Sequence, residues 1–89
     1  MARVQVRYHG RVQGVGFRAT VRHAAQGFAV TGWVRNEPDG SVLLEAQGEP
    51  ADLEQFLDEV ARALGRFIHA THRSAVQAEC EESGFIIAR

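Results

Sequence analysis

Residues Arg3–Phe28 read RVQVRYHGRVQGVGFRATVRHAAQGF, and three patterns succeed one another within them. From Arg3 to His9 the chain alternates: Val4, Val6 and Tyr8 fall on one face, Arg3, Gln5, Arg7 and His9 on the other. That is the period of a half-buried strand. Glycines at positions 10, 14 and 16 then interrupt any regular element. From Phe17 onward the period changes, and Phe17, Val21, Ala24, Ala25 and Phe28 line one helical stripe, with Gly27 as the expected C-cap. A strand that turns through glycines straight into a helix is half of a crossover unit, and the rest of the chain has to complete it.

A second strand is expected over AVTGWVRN, residues 29–36, and it runs into Glu37-Pro38-Asp39-Gly40. Proline at the second position and glycine at the fourth suit a type I turn, which predicts a hairpin into a third strand, SVLLEAQG. The next helix opens at Pro50, where a first turn tolerates proline, and acids follow that favour the positive end of the dipole. Leu53, Phe56, Leu57, Val60 and Leu64 step by three and four along it. A fourth strand is expected over SAVQAECEE, with Val76, Ala78 and Cys80 pointing inward, and FIIAR makes a short last one. The order β-α-β-β-α-β with a terminal strand is best buried in two layers. The fold class is therefore α+β, an antiparallel-type sheet of order 4-1-3-2 plus the terminal strand, with both helices on one face. Right-handed crossovers make the first and second strands parallel with the third between them. Their carboxyl ends then share one edge, which brings the glycine loop close to Asn36.

The composition narrows the functional classes. The chain has 89 residues, 45% of them hydrophobic and 24% charged, which fits a single domain over 1–89. A net charge of -1 gives no polyanion-binding surface. The third strand, VLLEA, also lacks the aromatics on which RNA-binding sheets stack bases. No nucleic-acid partner and no membrane partner are expected, and a monomer is. One cysteine, Cys80, and no apolar run of membrane or signal-peptide length point to a cytoplasmic protein.

The loop itself suits an anion. Its glycines let backbone N–H groups turn toward a ligand, and the helix N-terminus behind it adds partial positive charge. Arg18 contributes a fork of donors matched to two oxygens of a phosphoryl group. No carboxylate lies between Tyr8 and Thr20. The plainer reading is a tight turn with a solvated arginine. A Walker-type loop is excluded, because every cation in the Lys+Arg total of 10 is arginine. GVGFRA satisfies a dinucleotide fingerprint, but a hairpin follows where that fold needs another crossover.

GRVQGVGFR, with the later GWVRNEPDGSVLLEAQG, resembles the two signatures of the acylphosphatases. The first resembles G-x-V-Q-G-V-x-F-R. The second has Gly-Trp-Val-Arg-Asn, then Gly40 four residues past Asn36, Val42 two further and Gly48 six after that. The resemblance implies a ferredoxin-like βαββαβ sandwich and hydrolysis of the carboxyl–phosphate bond of acyl phosphates, giving inorganic phosphate, with no metal and no cofactor. It further implies that Arg18 binds the phosphate, with the backbone of Gln13, Gly14, Val15, Gly16, Phe17 and Arg18 as its cradle, and that Asn36 holds the attacking water. The stretch from Arg66 to Arg73 lacks the proline-rich connection of many members, so its shape is not implied. A phosphate-binding module of the same family without catalysis is the alternative.

Other side chains carry plainer expectations. Arg35 is a solvated strand residue or a second anion contact, and Gln13 shapes the loop. Trp33 either packs or rims the site. His69 and His72 are surface histidines, because two ligands fall short of the four a structural metal needs. His23 lies on the first helix beyond Arg18.

Overall fold

A computed structural model describes all of residues 1–89. Its elements run β1 (Ala2–Gly10), α1 (Phe17–Ala25), β2 (Val30–Asn36), β3 (Val42–Gly48), α2 (Pro50–Leu64), a 3₁₀ turn (Gly65–Phe67), β4 (Ile68–Val76) and β5 (Phe85–Ile87). The five strands form one sheet of order β4-β1-β3-β2-β5. All neighbours are antiparallel except β2 and β5, which are parallel. This is the α+β ferredoxin-like sandwich expected, with β5 added beyond β2.

The alternation along each central strand decides what is buried. Val4, Val6 and Tyr8 of β1, Val42, Leu44 and Ala46 of β3, and Val30 and Val34 of β2 face the helices. Phe17, Val21 and Ala25 of α1 and Leu53, Phe56, Leu57, Val60 and Leu64 of α2 close the core from above. Phe56 ties the layers together, its ring lying 6.2 Å from Phe28 and 5.5 Å from Phe85. Burying a side chain of this size contributes on the order of 1.5–3 kcal/mol, so the amphipathic faces supply the main drive to fold.

Three expectations are corrected. Gly27 is not a left-handed cap, since its φ is not positive. α1 instead stops at Ala25 and tightens through bonds from Gln26, Gly27 and Phe28 N–H to the carbonyls of His23, Ala24 and Ala25. The fourth strand lies earlier than expected, at Ile68–Val76, and Cys80 is exposed. The reason is pairing length. The 3₁₀ turn returns the chain at once to the edge of β1, where Tyr8 meets Thr71 and Arg3 meets Val76, so β4 pairs with its partner from Arg3 to Gly10. The Arg66–Arg73 stretch is therefore this turn plus the first part of β4.

Residues 77–84 then cross the sheet face opposite the helices as a strap. The Gln47 side chain accepts from the Glu79 N–H at 2.7 Å and donates to the Glu79 carbonyl at 2.9 Å. Arg3, whose side chain is only 1% exposed, is held between Glu45 and Glu82, with a contact of 2.8 Å to each. The Arg3 hydrogen bonds hold the Glu82 carboxyl below its ordinary range and push the Arg3 guanidinium up.

Candidate active site

The sheet register creates the site. Tyr8 at the end of β1 and Asn36 at the end of β2 both pair with Val42 of β3, so the three lie in one row across the sheet. The chain leaves β1 through the 11–16 loop and re-enters as α1 above that row. The loop is pinned from both sides. Arg11 N–H donates to the Phe67 carbonyl at 2.9 Å, and the Gln13 side-chain amide donates to the carbonyls of Glu37 and Ser41, both at 2.9 Å. Val12, fully buried, plugs the loop into the core.

Gly14 and Gly16 make the turn itself, with φ of 79° and 76°, a left-handed conformation that side chains disfavour. With Gly16 as N-cap, α1 has no side-chain cap and no acid in its first turn. None of the backbone amides from Gly14 to Ala19 donates a hydrogen bond within the protein; the first amide so engaged is that of Thr20, to Gly16. Unpaired N–H groups at a helix N-terminus form a concave patch of positive potential.

A cavity of about 170 Å³ opens there, lined by Val12, Gly14, Gly16, Phe17, Arg18, Ala19, Asn36 and Ile87. Arg18 takes part in none of the protein's ion pairs, whereas Arg3, Arg7, Arg35, Arg62 and Arg73 are all committed to carboxylates. The Asn36 Oδ1 is buried and has no hydrogen-bond partner, the one such side-chain atom in the protein. A buried acceptor left without a donor costs about 1–3 kcal/mol, so its persistence calls for a reason.

Of the residues expected at the site, the fold brings Gly14, Gly16, Phe17, Arg18 and Asn36 to this cavity. Gln13 and Val15 are not among its lining residues. Gln13 acts as the clamp described above, and Val15 packs on the core. Arg35 is on the opposite face of the sheet, bonded to Glu37 at 2.9 Å and stacked 4.8 Å from the Trp33 ring, so neither side chain meets the cavity. His69 and His72 are exposed on β4, and His72 stands edge-on to His9 at 5.3 Å. Val12, Ala19 and Ile87 were not anticipated. Ile87 arrives through the parallel register of β5, which places it beside Val34, two residues before Asn36.

A family model described as acylphosphatase matches residues 4–87. An acylphosphatase of Oceanobacillus iheyensis is 51% identical over 67 residues, covering 75% of this chain and 74% of that one. An acylphosphatase of Salinibacter ruber is 57% identical over 58 residues, 65% of this chain and 61% of the relative. Among solved structures, an acylphosphatase from Bacillus subtilis superposes with a TM-score of 0.88 at 28% identity, over the full length of both chains.

Proposed function

This chain belongs to the acylphosphatase family, enzymes acting on acyl phosphates, and we propose how its own residues carry out the hydrolysis. A water oriented by Asn36 attacks a phosphoryl group held by Arg18 and by the backbone amides of residues 13–18. One domain over residues 1–89 holds every group the reading requires, so a monomer suffices, and the only partner it needs is the small acyl phosphate.

The observation that carries this reading is the polarity of the cavity. Gly14, Gly16, Phe17, Arg18 and Ala19, whose backbone amides have no partner in the protein, line it together with Asn36, whose Oδ1 is the one buried side-chain acceptor without a partner. Phosphoryl oxygens need donors, and they are repelled by a carbonyl oxygen. The Asn36 acceptor suits a species with O–H to give, which is water.

The water oxygen forms a bond to phosphorus while the bond from phosphorus to the acyl oxygen breaks, and the electron pair leaves with a carboxylate. Carboxylic acids have a pKa of about 4, so that leaving group departs without a proton at neutral pH and needs no general acid. The water proton passes to a phosphoryl oxygen, because an amide such as Asn36 cannot accept it. Charge in the transition state sits on the equatorial phosphoryl oxygens, where fixed donors stabilise it. The wild-type protein is expected to hydrolyse acetyl phosphate in the presence of a metal chelator. Binding of inorganic phosphate with no hydrolysis would instead leave a non-catalytic module.

A further inference from the structure

We propose that Ile87 forms the wall that receives the acyl group, and that the site favours acyl phosphates with apolar, uncharged acyl tails. The inference rests on the phosphoryl reading above and adds to it the part of the substrate that the cradle does not hold. Four of the cavity's lining residues are apolar: Val12, Phe17, Ala19 and Ile87. Val12 and Phe17 are sealed into the core, at 0% and 2% exposure, and present no surface to a tail. Only Ala19 and Ile87 remain, and Ile87 is by far the larger, at 40% exposure. It is one of three large apolar side chains the fold leaves exposed, and the only one of them on this cavity.

Its position does not depend on its side chain. β5 is held to β2 by backbone pairing from Gly32–Phe85 to Val34–Ile87, and the Ala88 N–H donates to the Val34 carbonyl at 2.8 Å. The residue is therefore available for contact with substrate and can be changed at little cost to the fold. The cavity has no acid, and its one charged side chain, Arg18, is engaged by the phosphoryl group. An aryl or alkyl tail lying on Ile87 gains by leaving water, whereas a charged tail finds no partner there.

The test compares benzoyl phosphate with acetyl phosphate in the wild type, Ile87→Ala and Ile87→Val, with inhibition by inorganic phosphate as the control. The ratio of kcat/KM for benzoyl over acetyl phosphate is expected to fall about 10-fold in Ile87→Ala, the low end for lost methylene contacts in a pocket. It should fall by a smaller factor, no more than about 4-fold for one CH₂, in Ile87→Val, which keeps most of the contact. The phosphate inhibition constant should stay put. An unchanged ratio in both variants, or equal losses on the two substrates, overturns the role of Ile87 while leaving the phosphoryl reading intact. If the wild type hydrolyses neither substrate, the phosphoryl reading itself fails and this inference falls with it.

Discussion

Arg18 and Asn36 owe their juxtaposition to different devices. Arg18 is the second residue of α1, delivered by two left-handed glycines, whereas Asn36 ends a strand whose register is set by Val42. That the two residues come to one cavity was readable from sequence, because the loop signature and the hairpin signature are local and each holds its own turn chemistry. The unsatisfied Oδ1 was not readable, since burial of one atom depends on α1 closing over the strand end. In the proposed mechanism the guanidinium fork grips two phosphoryl oxygens at once. Arg18→Lys keeps the charge and loses the fork. It is expected to weaken inhibition by inorganic phosphate and lower kcat/KM together, by on the order of 10-fold or more, the scale of one strong charge-assisted hydrogen bond. Steady-state kinetics with phosphate as competitor checks this. Full activity in the lysine variant would mean that charge alone suffices.

Among the elements, the first three strands and both helices were legible because their apolar periodicity is clean and their ends carry Gly, Pro or turn residues. β4 was not. Its sequence, IHATHRSAV, is exposed on both faces apart from its ends, so no alternation marks it, and its limits come from the length of β1. The strap was hidden for a related reason. Arg3 sits at an outward position of an alternating strand, and its partners Glu45 and Glu82 lie 42 and 79 residues away. Removing one member of a buried ionic cluster strands the others, which costs about 3–5 kcal/mol when burial is complete. Because both acids keep some solvent contact, Arg3→Ala is expected near the low end, about 3 kcal/mol, measured by urea denaturation.

The strap also carries a pH dependence. The Glu82 carboxyl is held low, first by its hydrogen bond from Arg3, so it binds its proton less readily folded than unfolded. The stability it contributes is complete above the ordinary glutamate range, about 4.3, and is lost as pH falls through the lowered folded value. Glu82→Gln should therefore flatten the acid side of the urea-midpoint profile and change little of the slope near neutrality. A wild-type slope in that variant would remove Glu82 from the account.

At the scale of the whole molecule, one topological fact makes the site: two parallel strands separated by a third end on the same edge, and the crossover between them brings a helix N-terminus to that edge. The order of the first four strands followed from the element pattern. The parallel placement of β5 did not, because three residues carry too little pattern to choose a neighbour. No helix is long and apolar enough to cross a membrane.

The most direct test sets Asn36→Ala beside the wild type on acetyl phosphate, reading kcat and the inhibition constant for inorganic phosphate in one series. Loss of a single preorganised polar group is expected to lower kcat by on the order of 10²-fold while phosphate binds as before. An undiminished kcat, or a loss of phosphate binding that matches the loss of rate, would contradict the division between a cradle that holds phosphate and an amide that steers water.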